Sequence, residues 1–236
     1  MRPRVLYVPI FAGFEARPFT KLAGEWADVE TFDGPGIGTR AGEPVGGPAG
    51  VAAAGAARLD ELGWERCVVA CDSHAQAAGI ELAVRDPRVG GIAVSHPAPD
   101  YSTTGERPAL SEAIFTAGAQ LLATDYRSFA RALTQLTQGT LDDEWVEGLI
   151  ATVPHAVAQE HMARIALEGE LVPRLSGEDL EVLLAGHSGC LMWTPEGVED
   201  AAAALPDAQV VHCDDVPMAD EAYYAALREL CARVFG

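Results

Sequence analysis

Ser73 sits where the apolar run Cys67-Val68-Val69-Ala70 gives way, through Cys71-Asp72-Ser73-His74-Ala75, to an alanine-rich helical pattern. A serine at the apex of so abrupt a strand-to-helix turn is held above the end of a sheet, where its hydroxyl becomes a nucleophile once a base takes its proton. The turn demands a strained backbone at the apex and small neighbours. Cys71 and Ala75 are small, so the stretch reads small-x-Ser-x-small without the glycines such turns commonly carry. The competing reading is a serine that caps the helix and does no chemistry.

A nucleophile needs a base, and the chain has six histidines. His74 follows the apex and reads either as a pocket residue or as a first-turn surface residue. His96 ends a later apolar run, with Asp100 four residues on, and His212 ends the last such run. His187 and Cys190 share a loop that would fall at the sheet's carboxyl edge, where ligands of layered α/β folds bind. His155 and His161 are six apart on a helical pattern, hence on different faces, and make no metal pair. None of the five cysteines forms a C-x-x-C spacing. The Gly36-x-Gly38-x-x-Ala41 spelling lacks the helix that would receive a pyrophosphate, since Pro44 and further glycines follow. No metal and no cofactor is expected. Trp193, Trp145, Tyr101, Tyr126 and Phe115 suit the wall of an apolar cavity, and suit an ordinary core equally.

These residues must be positioned by a scaffold, and the hydrophobic periodicity predicts one. Short, continuously apolar runs, the pattern of strands buried on both faces, occur at Arg4–Pro9, Val29–Asp33, Arg66–Cys71, Gly90–Ser95, Glu181–Ala185 and Ala208–Cys213. Helical patterns alternate with them at Arg17–Ala27, Ala49–Leu62, His74–Arg85, Pro195–Leu205 and Ala219–Val234. Strand then helix, repeated, argues an α/β fold with a mostly parallel sheet of about six strands. One connection is far too long for a plain crossover: about eighty residues separate Pro97 from Asp179. Its segments, Leu110–Ala123, Tyr126–Gln138, Leu141–Val153 and Pro154–Leu171, read as short amphipathic helices and suggest a lid. The expected division is therefore a core of residues 1–99 and 177–236 with a helical insertion at 100–176.

Composition narrows the partners. Acidic residues outnumber basic ones 35 to 16, a formal charge of −19, so the average surface repels phosphate backbones and anionic lipid. Nucleic acid and membrane are not expected partners; a small-molecule substrate is, and a homodimer is compatible with the sequence. The odd cysteine count and the absence of an evident leader fit reduced thiols in a cytoplasm.

The segments Val5-Leu6-Tyr7-Val8-Pro9-Ile10-Phe11-Ala12-Gly13-Phe14, Asp33-Gly34-Pro35-Gly36-Ile37-Gly38 and Glu81 to Val89 resemble the first strand and oxyanion loop, the D-x-P-G-x-G loop and the post-nucleophile helix of α/β-hydrolases. Pro18 to Ala23 adds a likeness to thioesterase-like members. The resemblance spans nearly the whole chain and implies an α/β-hydrolase fold with a helical lid inserted between two late strands. It further implies Ser73 as nucleophile, the amides of Ile10 or Phe11 and of His74 as oxyanion donors, and a base and an acid at later strand ends. The expected acid place after the penultimate strand reads Gly186-His187-Ser188-Gly189-Cys190 and holds no carboxylate. One strand earlier, His96 occupies the acid's place, with Asp100 beyond it.

Two mechanisms follow from that pattern. In one, His212 takes the Ser73 proton, Asp100 orients it, and an ester, thioester or lactone is hydrolysed. In the other, His96 approaches Ser73 without a carboxylate to fix its tautomer, the triad is degenerate, and non-hydrolytic chemistry such as cyclisation, elimination or isomerisation takes over, with His96 and Trp193 in the pocket. A catalytically silent binder of small apolar molecules is the third reading.

Overall fold

In a computed structural model the chain is described at residues 2–97, 109–138, 142–167, 172–187 and 195–236. Six strands, β1 (Arg4–Val8), β2 (Asp28–Glu30), β3 (Cys67–Asp72), β4 (Val89–Ser95), β5 (Glu181–His187) and β6 (Gln209–Cys213), form one sheet in the order β2-β1-β3-β4-β5-β6. Every neighbouring pair is parallel. β3 is buried at all six positions, as its unbroken apolar run requires of a central strand covered on both faces.

Alternation along β3 feeds two cores. Val69 and Cys71 face helices α2 (Gly47–Leu62) and α3 (Gln76–Arg85), whereas Val68 and Ala70 face α1 (Arg17–Ala23) and the last helix, α9 (Glu221–Phe235). α9 presents Tyr223, Leu227, Leu230 and Val234 to the sheet at the spacing of one apolar stripe. α3 lies close against β3 because Gly79 has no side chain: a Cβ there would stand 2.6 Å from Cys71 Sγ.

Among the described residues between β4 and β5 lie four α-helices, α4 (Ala109–Thr124), α5 (Tyr126–Gln138), α6 (Asp143–Thr152) and α7 (His155–Leu167). Their apolar residues, among them Phe129, Leu133, Trp145 and Leu149, join the core on the α2–α3 side of the sheet. Asp142 caps α6 by accepting from the amides of Glu144 and Trp145. α8 (Pro195–Ala204) then connects β5 to β6. Among the described residues no helix is long and apolar enough to cross a membrane.

Candidate active site

Three strand ends lie side by side at the carboxyl edge of the sheet, and each carries a titratable side chain. Asp72 is the last residue of β3 and lies in register with Ser95 of β4. His96 follows β4, its amide donating to Ala185 O of β5 at 2.7 Å. His187 is the last residue of β5. Parallel pairing thus brings together residues that are 24 and 91 positions apart in sequence.

The side chains make a continuous relay. His96 Nδ1 is 2.9 Å from Asp72 Oδ1, and His96 Nε2 is 2.8 Å from His187 Nδ1. The two imidazoles meet edge to face, 5.0 Å between centroids. Asp72 and His96 are both almost fully buried, at 4% and 3% exposure, whereas His187 is half-buried. Proton assignment follows from the acceptor at one end. A carboxylate only accepts, so His96 donates from Nδ1. A neutral His96 then accepts at Nε2 from His187 Nδ1–H, which leaves the lone pair on His187 Nε2. Burial pushes the His187 pKa below the ordinary histidine value and His96 adds to that; the negative charges of Asp215 and Asp72 oppose it. His187 Nε2 has no hydrogen-bond partner among the described residues.

His96 also has a φ of 50°, in the left-handed region that a residue with a side chain seldom adopts. Strain of this kind is held by its surroundings, here the bonds to Ala185, Asp72 and His187. Ser73 opens a 3₁₀ turn, Ser73–Ala75, ahead of α3.

The carboxylate missing from the sequence reading is Asp72, next to Ser73 in the chain. His96 therefore has an orienting acid, contrary to expectation. Its two ring nitrogens lie against Asp72 and His187. His74 lies within the 3₁₀ turn with its ring buried, and burial lowers its pKa to about 4 despite the nearby Asp72 charge, so it is neutral at ordinary pH.

His212 is placed elsewhere. It lies on the edge strand β6 with its ring more than half exposed, and pairs with Glu199 of α8 at 3.1 Å. His212 is thus solvent-facing and held by a surface glutamate, away from the Asp72–His96–His187 contacts, which corrects its assignment as base. In the loop after β6 the amides of Asp214 and Asp215 donate to Asp220, whose carboxylate caps α9. Asp100, Trp193, Tyr101 and Cys190 lie outside the described residues.

The expected oxyanion loop is also corrected. The amides of Ile10 and Phe11 both donate to Glu15, to Oε2 and Oε1 respectively, at 2.9 Å, and the Ala12 amide joins them at 2.9 Å. The next amide, Gly13, donates to Asp33 Oδ1. Ile10 and Phe11 are thus engaged by a carboxylate of the protein itself. Among the described residues no group of three or more histidines, cysteines and carboxylates could hold a metal ion.

No family model matches the sequence, and no curated protein matches it. Solved structures do. A hydrolase from Oleispira antarctica superposes with a TM-score of 0.78 at 14% identity, over 98% of this chain and 91% of that one. A thermophilic esterase from Thermogutta terrifontis gives 0.70 at 17% identity, over 100% and 91%. AqDC, described for recognition and ring cleavage of the Pseudomonas quinolone signal, gives 0.70 at 15% identity, over 99% and 92%. The chain has the α/β-hydrolase fold: a six-stranded parallel sheet flanked by helices, with a helical insertion between β4 and β5.

Proposed function

We propose that this protein is an enzyme acting on a small, mainly apolar organic molecule by proton transfer through the Asp72–His96–His187 relay, as an isomerase, cyclase or lyase does. The observation that carries the reading is His96 held between Asp72 and His187. His187 Nε2 takes an acidic C–H or O–H proton from the substrate. As it does so, His187 Nδ1–H passes its proton to His96 Nε2, and Asp72 stabilises the imidazolium formed there. The proton returns along the same path to a different atom of the product. The helical insertion serves as a lid that keeps water from the reacting atoms. AqDC, a structural neighbour described for ring cleavage, shows that this fold is not confined to esterases.

A second reading, acyl transfer to water through Ser73, draws support from the esterase and hydrolase among the structural neighbours and from the place of Ser73 between β3 and α3. One experiment separates the two. A panel of apolar 1,3-dicarbonyl compounds and hydroxyaryl ketones is incubated with the protein in D₂O and read by mass spectrometry, beside labelling by a fluorophosphonate. Proton transfer gives deuterium incorporation that Ser73→Ala retains and His187→Ala abolishes. Stoichiometric labelling lost in Ser73→Ala, with ester turnover and no exchange, would contradict it.

A further inference from the structure

The loop after β1 has spent its hydrogen-bond donors on the protein's own carboxylates. Four consecutive amides, Ile10, Phe11, Ala12 and Gly13, point at acids: three at Glu15 and one at Asp33. Glu15 is 4% exposed, and no arginine, lysine or histidine is paired with it among the described residues; its partners are the three amides. Burying a carboxyl group without a counter-charge is costly, and the three amide donors are what offsets that cost. Asp33 is anchored independently, by the amide and hydroxyl of Thr39, so the loop does not rely on Glu15 for its attachment to the following segment.

The insertion contributes an unmet polar atom beside the same loop. His161 of α7 is fully buried and meets the Phe11 ring edge-on at 6.1 Å. It gives Nε2–H to Pro35 O at 3.1 Å and leaves Nδ1 without a partner among the described residues. With Glu15 in place the donors of the loop are taken, and His161 Nδ1 stays open beside it as an acceptor among the described residues.

We propose that Glu15 is a specificity-determining residue: its carboxylate is a built-in ligand of the Ile10–Ala12 amides and keeps carboxylates and oxyanions of outside molecules off this loop. The proposal deepens the proton-transfer reading, because a loop closed to oxyanions turns the site away from acyl transfer. It is tested by binding and not by turnover, so either reading can fail without the other.

Formate is the probe, titrated into ¹⁵N-labelled full-length wild type, Glu15→Gln and Glu15→Ala at constant ionic strength. Formate shifts the Ile10, Phe11 and Ala12 amide resonances saturably in Glu15→Ala alone; wild type and Glu15→Gln, which keeps an acceptor oxygen in place, show no saturable change. A folded Glu15→Ala that binds no formate overturns the proposal, as do equal shifts in all three proteins. If Glu15→Ala does not fold unaided, the probe is read as rescue: formate, and not chloride, restores the dispersed spectrum, and failure of rescue also overturns it.

Discussion

His96 Nε2 lies 2.8 Å from His187 Nδ1, so two imidazoles from neighbouring strands share one proton while a buried carboxylate fixes the far side of the pair. In the proton-transfer reading the outer histidine, His187, meets the substrate and the inner one, His96, relays its proton.

The proton-transfer reading makes Asp72 the orienting acid. Asp72→Asn is expected to keep the fold and lower turnover on the order of 10³- to 10⁴-fold, because an amide can donate to His96 Nδ1 and so favour the wrong tautomer. Comparing kcat with KM checks this: kcat falls and substrate binding changes little. Loss of binding with kcat unchanged would assign Asp72 to substrate recognition.

The pH dependence has a defined sign. His187 must be neutral to accept a proton, and burial lowers its pKa from the ordinary histidine value near 6.5. Turnover therefore falls on the acid side, with a midpoint below that value. Measured as deuterium incorporation against pH, this limb should disappear into the background in His187→Ala.

Glu15 makes a separate statement about stability. Burial outweighs the three amide donors and lifts its pKa from 4.5 to about 7, with Asp33 adding to the rise. A group with a raised folded pKa contributes stability that is present below its unfolded value and is lost as pH climbs through the folded one. The stability difference between wild type and Glu15→Gln should accordingly decline from pH 4.5 to 7, by about 3 kcal/mol in all. Urea unfolding of both proteins at several pH values measures it.

His212 should be dispensable. Its pair with Glu199 is solvent-exposed, and such pairs contribute about 0–1 kcal/mol. His212→Ala is expected to leave turnover unchanged and stability within about 0.5 kcal/mol by the same denaturant measurement.

The scaffold was legible because its signals are local. The run Arg66–Cys71 and the helical patterns at 49–62 and 74–85 coincide within a few residues with β3, α2 and the turn with α3. The edge strand β2 proved shorter than its apolar pattern, and ends at Glu30. The site was legible only in parts. His96 was singled out by its strand end, yet its partners depend on the registers of β3 with β4 and of β4 with β5, which no local pattern encodes. One signal was available for Asp72: a charged residue that extends a fully buried strand must find a partner, and the histidine at the next strand end is the nearest candidate in kind. Glu15 carried no such signal, since the residue three before it is Ala12 and not the serine or threonine of a capping box.

The most direct test of the relay is ¹⁵N NMR of the histidine rings in wild type and Asp72→Asn. The relay requires His96 to be protonated at Nδ1 and unprotonated at Nε2 at neutral pH, with an exchange-protected Nδ1 proton that vanishes in Asp72→Asn. A His96 carrying its proton at Nε2, or titrating independently of both Asp72 and His187, would contradict it.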